Sequence, residues 1–597
     1  MTHLRCLILS SLLLAGCKDA IDLDPIDTAP VVESTVRPSP ILGGTMVLTD
    51  DGTAIAADPD RDLLHIVDLD ARQVRHTIAL KSGDQPHRIA LGTSNQAHVV
   101  LRGAGGIATI DLDTGAVTAR HALCPEPRGI AFHDADASLY VACAGGSLFH
   151  LSEAGEVLER HELEPDLRDV LIVDGNVKVT LFRAAAILGL DGSRIEIPRI
   201  DEHVPQVAWR TWVTATGDIA MLHQMASTAV VPINPGPDEL PDGGSPYGGG
   251  GGCELGLVHA AITTISASYG GITTVQVLDS NLTVDAAFSP DDTAVAMAVP
   301  GARRPEDITT SQKKGRGGLN QGFEPDFIGG GTSTSTVRID PKDTPNCGGF
   351  SDPIDAGQTT AVAYSATGRL AMQSREPAMI TVFDIDGTFE SIPLPGDTRF
   401  DTGHEIFHRA TDSGLSCASC HPEGTDDGHV WEFAGLGPRR TQPIDVGLAD
   451  TAPYHWDGDM PDVDVLMAEV LAHRMGGKRQ SPARADSFTR WLFAQQRPAA
   501  LGVAEPSQVA TGKQLFASYD CGKCHTGPGL GGDRTETIAG EAKQVPTLRR
   551  VSLHPPYMHD GRAKTLEAAV RDMISTTKNT AAPDADVAAI AAYLRTL

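Results

Sequence analysis

Residues 106–123 read GIATIDLDTGAVTARHAL, in which two runs of alternating apolar and polar residues flank a tight-turn signal. The same pattern of strand, turn and strand occurs in 63–80 (LLHIVDLDARQVRHTIAL) and in 147–163 (SLFHLSEAGEVLERHEL). A repeat of about 40 residues with four short strands is typical of β-propeller blades. We therefore predict an all-β propeller of about seven blades over residues 41–398, with an array of β-sandwiches as the alternative.

Two stretches of different composition interrupt these repeats. Residues 235–253 and 302–350 are rich in Gly, Ser and charged residues, so we predict that both are loops inserted into the propeller. The unit at 127–151 (PRGIAFHDADASLYVACAGGSLFHL) resembles the repeat of bacterial surface-type (YVTN-like) propellers. No catalytic grouping of residues is recognisable over 41–398, which favours a docking role for the propeller.

The N-terminus has the pattern of an export signal. Arg5 precedes an apolar run at 7–14 that is too short to cross a bilayer, and residues 14–17 (LAGC) resemble a bacterial lipobox. We expect a signal peptide over 1–16, lipidation of Cys17, and a lipidated N-terminus and linker over 17–40. An ordinary secretory signal is the alternative.

The export signal and the lipobox together predict a periplasmic or cell-surface lipoprotein that is attached to the membrane by its lipid anchor alone. Lys18 follows the predicted lipidation site instead of the aspartate that signals inner-membrane retention, which favours the outer membrane. The formal net charge of −29 argues against a nucleic-acid partner, because an acidic surface repels phosphate.

The C-terminal third contains two C-x-x-C-H motifs, at 417–421 (CASCH) and 521–525 (CGKCH). Two thiols one short turn apart reach the two vinyl groups of haem and form thioethers, and the adjacent histidine becomes an iron ligand. We therefore predict two covalently bound haem c groups, one on Cys417 and Cys420 and the other on Cys521 and Cys524. The iron ligands are His421 and His525.

The sequence around the two motifs is duplicated. TGHEIFHRATDSGLSCASCH (402–421) matches TGKQLFASYDCGKCH (511–525), and PYHWDGD (453–459) matches PYMHDGR (556–562). Each copy ends in an amphipathic helical pattern. We predict two all-α cytochrome c domains, over 399–500 and 501–597, after the propeller.

Four cysteines outside these motifs and the N-terminal segment have open pairings. Cys124 and Cys143 are close in sequence and could form a disulfide within a sheet. Cys253 and Cys347 both lie in glycine-rich loops and could link them. The other pairings of these four residues remain open.

Residues 402–597 resemble the bacterial di-haem cytochrome c peroxidase and MauG family. The motifs that carry this resemblance are SCASCH (416–421), HWDGD (455–459), PTLRRVSLHPPYMHDGRAKTLEAAVRDM (546–573) and the second C-x-x-C-H. The resemblance implies that the C-terminal haem receives electrons from a small periplasmic donor, either a cytochrome c or a cupredoxin. It also implies that the N-terminal haem, with an open or displaceable sixth position, reduces hydrogen peroxide.

Two residues match functional positions of the family. Met573 falls on the methionine that ligates the electron-transfer haem, with a core methionine as the alternative. Trp456 falls on the tryptophan between the haems, with a packing role as the alternative.

One stretch departs from the family. Arg474 stands where the peroxidases place the distal glutamate, and arginine does not readily release a proton. In a helical segment Glu469 and His473 would be neighbours able to supply acid and base groups. Met475 could instead be a sixth iron ligand, which would make the protein an electron carrier.

The resemblance also implies a calcium ion between the haem domains. Pro556 matches one position of that site, whereas His554 stands where threonine is usual, so calcium is retained as a candidate cofactor.

Three functions follow from these patterns. The first is a peroxidase-type di-haem oxidoreductase, and the second is a non-catalytic electron-transfer protein with the propeller as its docking platform. The third is a MauG-like enzyme whose protein substrate docks on the propeller.

Overall fold

A computed structural model describes residues 26–233, 245–248, 255–277, 282–292, 294–301, 357–495, 504–532 and 534–597, with the backbone of 334–336 and 352–354. Cys17 and the signal peptide, Cys253, Cys347 and most of both predicted insertions lie outside the described residues. No helix of the described part is both long and apolar enough to cross a membrane.

The N-terminal region is a succession of antiparallel sheets. The first four sheets each contain four strands in chain order. Their strands are β1 Met46–Leu48, β2 Thr53–Asp58, β3 Leu63–Asp68 and β4 Gln73–Ala79; β5 Pro86–Leu91, β6 Gln96–Leu101, β7 Gly106–Asp111 and β8 Val117–Ala122; β9 Pro127–His133, β10 Ser138–Cys143, β11 Ser147–Ser152 and β12 Val157–Glu162; β13 Leu167–Val173, β14 Asn176–Leu181, β15 Ala186–Gly189 and β16 Arg194–Glu196.

The later sheets depart from this regularity. The fifth has the order β17-β18-β20-β21, because the short β19 leaves it, and two strand pairs precede a last four-stranded sheet. The bounds are β17 His203–Val213, β18 Ile219–Ser227, β19 Val230–Val231, β20 Val258–Ile265 and β21 Ile272–Val277; β22 Asp285–Phe288 and β23 Val295–Ala298; β24 Thr334–Thr336 and β25 Asp352–Ile354; β26 Thr359–Tyr364, β27 Leu370–Arg375, β28 Ala378–Phe383 and β29 Phe389–Pro393.

The recurring acidic residue of the repeats lies at the end of the third strand of a sheet. Asp111 accepts hydrogen bonds from the backbone and the hydroxyl of Thr114, both at 2.8 Å. Asp68 accepts from the backbone of Ala71 at 2.9 Å. These side chains satisfy the amides of the turn between the third and fourth strands, which explains their period.

Apolar clusters between neighbouring sheets close the ring. Ile55 of the first sheet packs with Val99 of the second. Ala54 and Val67 of the first sheet pack with Ile380 of the last. The first and last sheets therefore share a core, which is the arrangement of a propeller-like fold.

Cys124, just before β9, forms a disulfide with Cys143 at the end of β10. This is one of the pairings that the sequence left open.

The C-terminal region is helical, but it is not all-α. Each haem motif is followed by a β-hairpin, and the first hairpin pairs in parallel with β19 of the propeller. The elements are α1 Thr402–His408, α2 Cys417–Cys420, β30 Val430–Phe433, β31 Gly437–Arg440, α3 Val463–Leu466, a π-helix Met467–Arg474, α4 Pro482–Phe493, α5 Pro506–Ser518, β32 Thr535–Ile538, β33 Glu541–Gln544, α6 Leu566–Lys578 and α7 Asp584–Leu594. The prediction of two all-α domains was wrong in this respect, because the hairpins are too short to produce a strand pattern in the sequence.

Residues 26–40, predicted as part of a linker, pack against the first helical unit. The Val32 carbonyl accepts from the Thr402 backbone at 2.8 Å, and the Trp491 indole donates to the Pro38 carbonyl at 2.9 Å. This part of the predicted linker is therefore held in place.

Candidate haem-binding site

The two C-x-x-C-H motifs have the same local geometry. Cys417 and Cys420 occupy the ends of the one-turn helix α2, and Cys521 and Cys524 flank a similar tight turn. All four thiols are free of disulfides. Each pair therefore has the one-turn spacing that thioether attachment requires.

Both motif histidines are oriented by a backbone carbonyl. The Nδ1 of His421 donates to the Thr425 carbonyl at 3.0 Å, and the Nδ1 of His525 donates to the Leu530 carbonyl at 3.1 Å. A proton fixed on Nδ1 leaves Nε2 as the metal-binding atom. Burial lowers the pKa of both imidazoles, which favours the neutral form that binds metal.

One cavity of about 940 Å³ contains all four motif cysteines and both histidines in its lining. The remaining lining is largely apolar and comes from both helical units. It includes Leu415, Val446, Leu466 and Leu492 of the first unit and Leu548, Val570, Ile590 and Leu594 of the second. A large apolar cavity with two thiol pairs and two oriented imidazoles fits haem.

The geometry of the described residues does not offer a zinc site. A structural zinc ion needs about four Cys, His or carboxylate ligands. Among the described residues, no three or more His, Cys, Asp or Glu side chains are grouped so that they could hold a metal ion.

Trp456 links the two helical units. Its indole lines the cavity and donates to the Arg440 carbonyl at 2.7 Å, and its own carbonyl accepts from the Gln544 backbone at 2.8 Å. The ring lies 6.4 Å from that of His559 in an edge-to-face arrangement. The contacts place Trp456 where the first unit meets the second.

Met573 lines the cavity from α6, together with Ala569 and Val570. Met558 lines it as well, from the loop before His559. The sequence analysis did not single out Met558, although its duplicated surroundings (PYMHDGR) were the available signal.

The stretch in which this sequence departs from the family contains the π-helix Met467–Arg474. The predicted distal residues in and next to this helix fall into two groups. Arg474 and the buried Met475 line the cavity. Glu469 and His473 are exposed and do not belong to the lining. The structure therefore does not bring Glu469 and His473 to the haem cavity, because both side chains lie on the solvent-exposed face of the π-helix.

A residue of the propeller also lines the cavity. Tyr247 lies beside Arg474, and no recognisable pattern in its glycine-rich surroundings marked it. Burial raises the pKa of the Tyr247 hydroxyl, and the neighbouring Arg474 guanidinium opposes this effect.

Buried ion pairs join the propeller to the first haem motif. Glu423, two residues after His421, binds Arg102 and Arg168 of the propeller, each at 2.6 Å. Glu423 has a left-handed backbone with φ of 52°. A bulky residue adopts this conformation only when its surroundings hold it there, so the ion pairs define this loop.

The residues around His554, between the helical units, do not fit calcium. Asp426 and Asp445 contact opposite sides of the His554 ring. Arg183 of the propeller donates to Asp426 at 3.0 Å and also to the Leu553 carbonyl. Burial would raise the pKa of Asp426, but Arg183, Arg440 and His554 lower it. The oxygen atoms that a calcium ion would need are already bound by cationic side chains.

Comparison with known proteins places this region among c-type cytochromes. The family model "Cytochrome c" matches residues 509–597. Cytochrome c551 peroxidase of Nitrosomonas europaea is 35% identical over 257 residues, covering 32% of this chain and 76% of the relative. Cytochrome c peroxidase Ccp of Escherichia coli is 30% identical over 281 residues, covering 34% and 59%. Methylamine utilization protein MauG of Methylorubrum extorquens is 26% identical over 254 residues, covering 30% and 71%.

Proposed function

The C-terminal third of this chain belongs to the bacterial cytochrome c peroxidase and MauG family, and from this membership we propose that the protein is a di-haem peroxidase. The observation that carries the proposal is the single apolar cavity onto which both C-x-x-C-H motifs open. Haem bound there would supply the electron storage and the redox chemistry of peroxide.

The chain's own residues have separate tasks in this proposal. His421 and His525 bind the two irons through Nε2, and their Nδ1–H bonds to backbone carbonyls hold the rings in place. Met573 is the further ligand at the second site. Trp456 lies on the path between the sites, with its ring edge-to-face against His559.

We propose that the first site, next to His421, receives hydrogen peroxide. Electrons enter at the second site from a small periplasmic cytochrome c or cupredoxin. The export-signal pattern of the N-terminal segment supports an exchange outside the cytoplasm, and in this proposal the protein is a lipoprotein anchored through Cys17. The propeller in this proposal has seven blades, the sixth of which contains β22 and β23.

The test is peroxide reduction with a reduced small cytochrome c as the donor. Two one-electron donors should be oxidised for each peroxide, and the purified protein without donor should not turn over. Replacement of Trp456 by Phe keeps an aromatic ring but removes the indole donor to Arg440, so donor-dependent turnover should fall. Absence of donor oxidation by a fully haem-loaded protein would reject the proposal.

A second candidate function rests on Met475. This methionine is 5% exposed and lines the cavity close to Cys420. As a sixth ligand at the first site it would block peroxide and leave a pure electron carrier. Two six-coordinate haems that ignore peroxide, before and after partial reduction, would favour this function.

A further inference from the structure

A short propeller loop, residues 245–248, reaches the cavity beside the first haem motif. Its Tyr247 lines the cavity together with Cys420 and His421. The loop belongs to the insertion between β19 and β20, so the propeller itself contributes to the wall of this site.

Specific contacts hold the loop against the end of the π-helix. The Ser245 hydroxyl donates to the Arg474 carbonyl at 2.6 Å, and the Tyr247 backbone donates to the same oxygen at 3.0 Å. A helix end leaves carbonyls without partners inside the helix, and the loop satisfies one of them. The Tyr247 ring packs against Phe433 at a centroid distance of 6.3 Å.

Gly476 gives the loop room to approach. Its backbone has φ of +67°, and an added Cβ would lie 3.1 Å from the Cβ atoms of both Ser245 and Asp412. A side chain at this position would therefore push against the loop and against Asp412, and neither of these two residues lines the cavity.

Apolar side chains make up much of the wall around Tyr247: Leu257, Leu415, Phe433, Val470 and Met475. The Tyr247 hydroxyl and the Arg474 guanidinium adjoin each other there. Asp459 also lines the cavity, and the charge of Arg474 is among the causes that lower the pKa of its carboxyl. Among the described atoms, the Arg474 Nε is buried without a hydrogen-bond partner. A buried donor in this state gains free energy from a ligand that accepts its hydrogen bond.

We infer that Tyr247 and Arg474 are a hydrogen-bond donor pair that binds a small anionic ligand at the first haem. The class comprises compact ligands with a negatively charged acceptor atom, such as fluoride and hydroperoxide. Charge-assisted hydrogen bonds are stronger than neutral ones, so a guanidinium with an adjoining hydroxyl favours this class of ligand. The inference rests on the proposed function because it takes haem to be bound at His421.

Fluoride binding to the ferric holoprotein, followed by absorption, tests the pair without turnover. Replacement of Tyr247 by Phe removes the hydroxyl alone and should weaken fluoride about tenfold, the effect of one lost hydrogen bond to a charged ligand. Arg474→Leu should weaken it further. The matched control is Tyr454→Phe, because Tyr454 lines the same cavity but donates to the Leu448 carbonyl at 3.2 Å.

A variant that displaces the loop provides a second measurement. Gly476→Ala leaves both donors in the chain but shifts Ser245, so fluoride affinity should also fall while the haem content stays constant. Equal affinities in the wild type and Tyr247→Phe would overturn the inference, and so would a wild-type protein that takes up no fluoride. If the variants weaken fluoride binding as expected but the wild-type protein does not turn over peroxide, only the proposed peroxidase function is rejected.

Discussion

At the residue scale, two methionines are candidates for the further iron ligand at the proposed second haem site. Met573 and Met558 both line the cavity near the second motif. Met573 lies on a helix whose other residues fix its direction, whereas Met558 has a left-handed backbone with φ of 69°. We expect Met573 to be the ligand, because a helix holds a side chain more rigidly than a loop does.

Met573→Ala should therefore remove the methionine–iron absorption band of the oxidised protein. It should also lower the reduction potential of the second haem, since a thioether ligand raises it. Met558→Leu is the control and should leave both properties unchanged. The reverse pattern would assign the ligand to Met558.

The His554 imidazole predicts how the stability of the fold depends on pH. Burial lowers the pKa of its imidazole, but Asp445 and Asp426 outweigh burial and raise it above the ordinary value of 6.5. A raised pKa in the folded state means that the charged imidazole stabilises the fold below pH 6.5. The contribution decreases as the pH rises through the folded-state pKa.

His554→Gln should accordingly lower the free energy of unfolding by about 3 kcal/mol at pH 6, the typical cost of breaking a buried ion pair. The difference from the wild type should shrink in denaturant titrations at higher pH. A difference that grows with pH would show that His554 is neutral in the folded protein.

The C-x-x-C-H spacing is a local chemical requirement, so the sequence alone predicts Cys417, His421 and their counterparts as haem-binding residues, and this stays a prediction. The structure shows that all of them line one cavity. Tyr247 could not be predicted, because it reaches the cavity through a contact between segments about two hundred positions apart. The sequence showed that Arg474 replaces the distal glutamate of the family's peroxidases. Only the structure shows that Glu469 lies outside the cavity.

At the scale of elements, the loop after the first haem motif is held by the propeller. Glu423 is 1% exposed and is paired with two arginines. Glu423→Gln keeps the shape but leaves Arg102 and Arg168 without this negative charge. We expect a loss of about 3 kcal/mol in unfolding free energy by urea titration.

A surface pair supplies the control for this change. Glu164 and Arg194 form an ion pair in which both side chains remain substantially exposed, at 47% and 35%. Glu164→Gln should change stability by less than about 1 kcal/mol. Equal losses in the two variants would show that the Glu423 pairs do not hold the haem loop.

Strand and helix patterns were predictable where they repeat. The turn aspartates Asp68 and Asp111 and the alternating strands act within a few residues of each other, so the sequence shows them directly. The parallel pairing of Val230–Val231 with β30 joins distant segments and depends on tertiary packing. The hairpins of the haem units escaped prediction for the same reason.

At the scale of the whole molecule, the propeller helps to form the candidate haem cavity and holds the first motif in place. It supplies Arg102, Arg168 and Arg183 to buried ion pairs, Tyr247 to the cavity and β19 to a sheet. Residues 26–40 cross from the propeller to the first helical unit. The sequence alone predicted adjacent domains and gave no sign of this mutual support.

The central claim is that both motifs carry covalently bound haem in one continuous cavity. Intact mass spectrometry of the mature protein should show a mass increase of two haem groups, and the Cys521→Ser/Cys524→Ser double variant should show one. Absence of any haem mass, or a single haem on the wild-type chain, would contradict the account.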